Sequence, residues 1–574
     1  MKFKLPSIHT LWAGVTGVAT RFPLQVLVAL SCTAVWCFAT GKLVQPETFD
    51  ELVKVIVIGN LALTLLLSGD LYAEVSGISG ARKWAIRLFA LLFCVGLYFW
   101  LQPSVYGADA YRLALLAFSF HLLVAFAPFV GRGSLNGFWE YNKTLFLRFL
   151  AAALYAAVLF GGLSAALAAV DSLFSIKIDW VVYVRLFAIV VAGFSTIFFL
   201  AGVPVIVPLT ADEVNYPKGL KIFTQYVLIP LMTIYLAILL VYEVKIVVSW
   251  EFPKGMVSLL VLGYAVFGIL SLLLIYPIRE KEGNGWIKLF SRFFYFMMIP
   301  LVVLLLLAVW KRVSDYGITE PRYILICLAI WLTMITVYFL TSKQQNIKAI
   351  PGSLCILALL AVYGPQSAFT VSRYSQVSRL KKLTKEKAKD EDKAGVIRYL
   401  VQKHGLDALQ DFTQVNLAEL EDKMLDSIGN KRLYSVRYEL IDTALAILKV
   451  GHEKAAVSEY VQFVRGAEAA KVAGYQYMVP VDSYDDKTEA TVKGVALVLE
   501  KDLRKRLLKV YVAGKLAVEF DFNERVSQLK AMYKQGKLKV KEGAYETYYL
   551  PNNMVAVNLS HENYQFTFVF TNVS

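Results

Sequence analysis

The chain has 574 residues, a hydrophobic fraction of 57%, a mean hydropathy of +0.55 and a formal charge of +15. That composition is too apolar for an ordinary soluble protein, and the length allows two domains. The positive excess lies mainly in short loops between apolar blocks, which excludes a nucleic-acid binder and points to topogenic charge beside anionic lipid.

Apolar blocks fill the chain up to about Tyr363, and from Arg373 onward charged residues recur every few positions. A membrane-spanning helix needs about 20 largely apolar residues. Segments 22–40, 52–73, 84–101, 110–130, 144–171, 181–208, 220–249, 254–278, 290–311, 321–341 and 347–365 meet that criterion, about eleven spans. The first follows Lys2, Lys4 and Arg21 without a small-residue cleavage site, so it reads as a transmembrane helix and not as a signal peptide. Loop lysines and arginines favour a cytoplasmic N-terminus: Arg82, Lys83, Arg87, Arg132, Lys143, Arg148, Lys218, Lys221, Arg279, Lys281, Lys288, Arg292, Lys343 and Lys348 all fall on its side. An odd number of spans then places the C-terminal domain in the periplasm.

Within the spans, Asn60, Thr64, Ser68 and Tyr72 recur at i+4 and predict a polar stripe. At membrane depth such a face meets other protein or lines a wet pathway. His121 is mid-span in the fourth segment and joins these as a candidate for a polar pathway or an interhelical contact. Asp70 lies near a helix end, where snorkelling is cheap. Ala153, Ala157, Gly161, Ala165 and Ala169 form a small-residue stripe that predicts close helix packing inside the bundle. Pro230 and Pro300 fall inside their segments and predict kinks. The five cysteines, Cys32, Cys37, Cys94, Cys327 and Cys355, all sit in apolar segments as small packing residues. No phosphate-binding loop, HExxH, CxxC or GxSxG pattern occurs, so the sequence names no catalytic residue, no cofactor and no metal. The loop with Tyr316, Gly317, Thr319 and Arg322 reads as a turn in which Thr319 caps the next helix, or as an outer binding site.

Beyond the last span, 372–393 reads as a charged juxtamembrane helix or linker, and helical periodicity continues to about Ala473. Strand-like alternation follows at Leu507–Val512 and 516–522 around the turn at 513–515, then a helix near 523–535, then strands at Thr547–Leu550, 554–559 and 564–571. His404, His452 and His561 are far apart in sequence, and Asp482, Asp485 and Asp486 read as a solvated acidic turn. The expected fold is therefore an α-helical polytopic membrane bundle over 1–371, the linker 372–393 and a soluble, extracytoplasmic α+β domain over 394–574.

Several strings carry a family resemblance: Arg21-Phe22-Pro23-Leu24, Phe138-Trp139-Glu140-Tyr141-Asn142-Lys143, Leu173-Phe174 and Phe199-Leu200-Ala201-Gly202-Val203-Pro204. They continue with Asp315-Tyr316-Gly317-Ile318-Thr319-Glu320-Pro321-Arg322-Tyr323, then Gly364-Pro365 with Ser367, Ser372, Gln376 and Arg379. In these the chain resembles bacterial multi-pass membrane proteins grouped as domain of unknown function 4153. The resemblance implies an inner-membrane bundle and brings no catalytic residue set.

The expectation is an envelope scaffold or signalling protein of the bacterial inner membrane, embedded in the lipid bilayer, whose outer domain binds an envelope protein or lipid partner. Two alternatives stay open: a transporter or lipid-handling protein using the polar stripe, and a membrane-embedded transferase on a lipid-linked substrate. The transferase requires clustered carboxylates or histidines that the sequence does not display, so the balance leans away from an enzyme. No oligomeric state follows from the sequence.

Overall fold

The computed structural model describes residues 8–41, 46–205, 218–249, 256–279, 284–342, 345–426 and 433–450, with Leu209, Tyr216 and Lys281 between them. From 462 onward it describes the strands given below and a few adjoining residues. The chain divides into two compact units, Met1–Gly451 and His452–Ser574. The first unit runs past residue 394, and the stretch 372–393, expected as a juxtamembrane helix or linker, carries most of one helix and the start of the next.

The first unit opens with α1 (Ile8–Arg21) and α2 (Pro23–Ala39), bent by 107° at Phe22. Pro23 removes a backbone donor and restricts the residue before it, so the chain turns there. The bundle continues with α3 (Pro46–Val75), α4 (Gly80–Trp100), α5 (Gly107–Phe126), α6 (Leu135–Phe174), α7 (Trp180–Ala188), α8 (Ser195–Ala201), α9 (Lys218–Phe223), α10 (Ile229–Ser249), α11 (Met256–Ile275), α12 (Gly285–Tyr316), α13 (Glu320–Thr341) and α14 (Ala349–Val362). π-helical turns at Ile189–Phe194 and Thr224–Leu228 join α7 to α8 and α9 to α10. The second turn directly precedes Pro230, whose missing donor it accommodates; Pro300 lies inside α12.

Among the described residues nine helices are long and apolar enough to cross a bilayer, ten when the bent α1–α2 pair is taken as one span. The remaining expected span, 347–365, is the short α14 of 14 residues. The chain is thus a polytopic membrane protein.

The bundle has two distinct ends. α4 rises about 30 Å over its 21 residues, from Lys83 and Arg87 to Trp100. At its start Lys83 pairs with Glu74 of α3, and Arg132 Nη1 reaches Val75 O at 3.1 Å. Lys348 Nζ donates to Arg132 O at 2.8 Å, which brings the start of α14 to the same basic face. At its far end Trp100 stacks on Tyr363, just past α14, with centroids 5.6 Å apart.

On that second face stand α15 (Ala368–Lys385), α16 (Asp390–His404), α17 (Leu417–Asp426) and α18 (Leu433–Ile447). They share an apolar core that includes Ile397, Leu400, Leu406, Leu409 and Leu445. Ala368 and Phe369 of α15 pack on Ala108 of α5, which ties this helical layer to the spans.

Two expectations are corrected here. The Ala153–Ala169 stripe of α6 does not pack inside the bundle: all five of its small residues are exposed, as are the flanking Leu154, Tyr155 and Val158. Small residues permit close approach, but they do not require it. Helical structure also does not continue to 473, because Gln462–Arg465 is a strand.

The second unit is built of strands β1 (Gln462–Arg465), β2 (Lys487–Val492), β3 (Val495–Asp502), β4 (Leu507–Val512), β5 (Lys515–Asp521), β6 (Lys539–Lys541), β7 (Thr547–Leu550), β8 (Ala556–His561), β9 (Tyr564–Val569) and β10 (Asn572–Val573). One sheet has the order β2-β3-β4-β5, entirely antiparallel. A second has the order β10-β1-β7-β6, with β1 parallel to β7, and β8 and β9 form a hairpin. The expected β4–β5 turn is made by Ala513 and Gly514 at φ +50° and +77°, matching the twist of a tight hairpin. His452 and the Asp482, Asp485 and Asp486 turn lie outside the described residues.

Candidate ligand-binding cleft at the second membrane face

α12 ends at Tyr316 because Gly317 leaves the helix at φ +70°, ψ 178°, a conformation that side chains avoid. A Cβ there would also lie 2.8 Å from Gln376 Nε2. Thr319 occupies the N-cap position of α13, yet its hydroxyl makes no capping bond, contrary to expectation. Glu320 and Pro321 open the helix, where proline loses no helical bond and a carboxylate meets the positive end of the helix dipole.

The loop is held from α15. Gln376 Nε2 donates to Tyr316 O and Ile318 O, both at 2.9 Å, and Ser375 Oγ accepts from Ile318 N at 2.8 Å. Arg379 Nη1 donates to Tyr316 O at 3.0 Å. Arg322 Nη1 donates to Gly317 O at 2.7 Å and Tyr316 O at 3.3 Å. Both guanidinium carbons lie close to the Tyr316 ring, at 5.5 Å for Arg322 and 5.4 Å for Arg379.

Behind the loop, the Glu320 side chain has no solvent exposure. Ser372 Oγ donates to its Oε1 at 2.8 Å, His404 Nε2 lies 3.0 Å from the same oxygen, and the Tyr399 hydroxyl donates to Oε2. Burial and then the Glu320 charge push the Tyr399 phenol well above its ordinary value, so it stays a donor. Ser372 and His404 are 3.3 Å apart. A serine–histidine–acid triad needs the acid on the ring nitrogen opposite the serine, whereas here both groups address Nε2. The cluster is therefore a latch that fastens α15 and α16 to the start of α13.

In front of the latch opens a cleft of about 260 Å³, lined by Tyr316, Thr319, Arg322, Gln376, Arg379, Glu391, Asp392, Gly395, Val396 and Tyr399. Three of the four loop residues singled out in the sequence line it, and Gly317 supports it from behind. Their partners on α15 and α16 were not legible as a site, because they lie some 50 to 85 positions away in the chain.

The other sequence candidates are not brought together. Asn60 is exposed, Thr64 bonds to Leu61 O at 3.0 Å, Ser68 is buried and bonds to Leu65 O at 2.8 Å, and Tyr72 is partly exposed beside Arg132. A strict i+4 spacing turns by about 40° per step, so the run from Asn60 to Tyr72 walks about 120° around α3. His121 is exposed and pairs with Ala117 O at 2.7 Å on its own helix.

At the basic face a second charge cluster forms. Arg87 Nε and Nη2 reach the buried Asp70 at 2.8 and 3.2 Å, and Gln25 Nε2 donates to it at 2.8 Å. Glu74 takes Arg21 Nη2 at 2.7 Å and Lys83 at 3.3 Å, while Arg21 also donates to Val203 O and Pro204 O. Asp70 therefore does not snorkel; it is a buried ion-pair partner. Among the described residues no group of three metal-ligating side chains gathers anywhere.

Four of the strings named above thus meet in two places: Arg21 with Val203 and Pro204 at one face, and 315–323 with 372–379 at the other. The family model for DUF4153, a domain of unknown function, matches residues 26–394. The chain belongs to this bacterial family of multi-pass membrane proteins. It is also 25% identical over 336 residues to an uncharacterized protein of Pasteurella multocida, covering 57% of this chain. The chain spans 55% of the length of that curated relative. No solved structure matches. The DUF4153 chain is accordingly a multi-pass membrane protein whose biochemical activity neither comparison names.

Proposed function

We propose that this DUF4153 chain is a binding protein of the bacterial inner membrane that presents the cleft of the second face to the extracytoplasmic side. The observation that carries the reading is the cleft itself, a charged recess backed by the Glu320 latch at one end of the bundle. Its sidedness is supported by loop charge, since Arg21, Lys83, Arg87, Arg132 and Lys348 gather at the opposite face and cationic loops stay in the cytoplasm. The strand unit follows the helical layer in the chain and serves as a partner-binding module, which makes the chain an envelope scaffold or signalling protein. A polar pathway through Asn60, Thr64, Ser68, Tyr72 and His121 is less favoured, because Thr64, Ser68 and His121 bond to their own helices.

The test is thiol labelling of intact cells with a membrane-impermeant reagent. Lys381→Cys, on α15, and Lys487→Cys, at the start of β2, are each placed in a variant lacking the five native cysteines. Labelling before lysis is expected at both positions; labelling of neither until lysis would overturn the outward assignment.

A further inference from the structure

The cleft carries charge of both signs that does not neutralise itself. Arg322 and Arg379 give hydrogen bonds to loop carbonyls and form no ion pair among the described residues, and neither do Glu391 and Asp392. This is not the habit of the neighbouring surface, where Asp390 pairs with Lys393, Arg373 with Asp407 and Lys381 with Asp411. Two guanidinium groups and two carboxylates that share one recess without pairing fit a ligand that itself carries an anion and a cation.

The geometry identifies the anion. A guanidinium has five N–H donors in a planar fork that matches phosphate oxygens. Each of these two commits its Nη1 to the loop and retains donors on its other nitrogens. The cation is addressed by Glu391 and Asp392, which lie in the first turn of α16 and are exposed. A primary ammonium brings three donors to carboxylates, whereas a trimethylammonium brings none.

The position identifies the source. The cleft is lined by Tyr316 at the end of one span and by Thr319 and Arg322 at the start of the next. Exposed Trp100, Tyr316 and Tyr374 surround this end of the bundle, the aromatic signature of head-group depth. Its volume of about 260 Å³ falls below the ~300–1,000 Å³ of sites that enclose a drug-sized ligand, so it suits a head group whose acyl chains stay in the bilayer.

We propose that the cleft binds the head group of a zwitterionic phospholipid, the phosphodiester between Arg322 and Arg379 and the primary ammonium against Glu391 and Asp392. This rests on the reading of the cleft as a binding site and not on its sidedness.

The experiment is native mass spectrometry of the full chain in detergent, titrated with phosphatidylethanolamine, phosphatidylglycerol and phosphatidylcholine of equal acyl length. Phosphatidylethanolamine is expected to bind about tenfold more tightly than either of the others, a difference of one decade in Kd. Glu391→Gln with Asp392→Asn, two changes at exposed positions, removes that preference while phosphatidylglycerol still binds. Arg379→Gln weakens both lipids together.

Soluble glycerophosphoethanolamine competes only at millimolar concentration, and inorganic phosphate does not compete. Equal binding of the three lipids, or a preference that survives the Glu391/Asp392 double change, would overturn the proposal. Competition by the soluble ester at micromolar concentration would overturn the lipid source and assign the cleft to a free phosphoester. Loss of lipid preference with outward labelling intact removes the lipid and leaves the sidedness standing. Labelling only after lysis, with the preference intact, keeps the lipid and moves the site to the inner leaflet.

Discussion

The two charge clusters of this protein sit on different helices at opposite faces of the bundle and solve the cost of charge differently. At the basic face Arg21, Lys83 and Arg87 meet Asp70 and Glu74, and every one of these groups finds a partner within the cluster. At the cleft face the buried part, Glu320 with Ser372, Tyr399 and His404, is likewise closed, but Arg322, Arg379, Glu391 and Asp392 in front of it form no ion pair among the described residues. A closed set of ion pairs holds helices together and leaves no charge for a ligand, though Gln25 Oε1 beside Asp70 has no hydrogen-bond partner among the described residues. An open one, braced from behind by a closed latch, is what binding requires.

Breaking the closed cluster produces the largest effect. Asp70→Ala leaves Arg87 buried without its carboxylate, and removing one partner of a buried pair costs about 3–5 kcal/mol. The check is the thermal unfolding midpoint of the purified chain in detergent, which should fall well below that of any cleft variant. Glu320→Gln replaces an acceptor of three contacts by a group that both accepts and donates. The expected loss is about 2–3 kcal/mol, since hydrogen bonds to charged groups contribute more than neutral ones. It should appear as faster proteolysis or hydrogen exchange in α15 and α16, with α3 and α4 unchanged.

Gly317→Ala places a side chain in a backbone region used almost only by glycine and against Gln376, at a cost of about 1–3 kcal/mol. It sharpens the comparison because it deforms the cleft loop while leaving both closed clusters intact. Lipid preference should drop more than stability does.

The smallest effect concerns pH. Glu421 of α17 is buried and accepts the Leu406 N–H at 2.8 Å, and burial raises its carboxyl above the ordinary 4.5. A raised carboxyl binds its proton more tightly in the folded state, so this contribution to stability is largest in acid and is lost as pH rises from about 4.5 through the raised value. Glu421→Gln should flatten that slope in a melting series against pH. A parent-minus-variant difference of the opposite sign would contradict the assignment, since other carboxylates add slopes of their own.

How much of this was legible in the sequence depends on the range of the interaction. The spans were readable because length and apolarity are local, and the β4–β5 hairpin was readable because Ala513 and Gly514 sit between alternating runs. The strand Gln462–Arg465 was not, since its four residues carry too short an alternation to stand against the helical pattern before it. The loop of Tyr316, Gly317 and Arg322 announced itself by glycine, proline and aromatic punctuation. Its cleft did not, because Gln376, Arg379, Glu391 and Tyr399 reach it only through the packing of α15 and α16 on the bundle. Asp70 was misread for a related reason: a carboxylate near a helix end looks alike whether it snorkels or pairs, and only the approach of α4 decides.

The most direct test of the contrast between the two ends is hydrogen–deuterium exchange of the full chain in nanodiscs, with and without phosphatidylethanolamine in a phosphatidylglycerol background. Protection should appear in 316–323, 372–379 and 391–399, with 70–87 unchanged. Equal exchange at the cleft in both bilayers, or protection that appears at 70–87 instead, would contradict the assignment of an open binding end and a closed structural one.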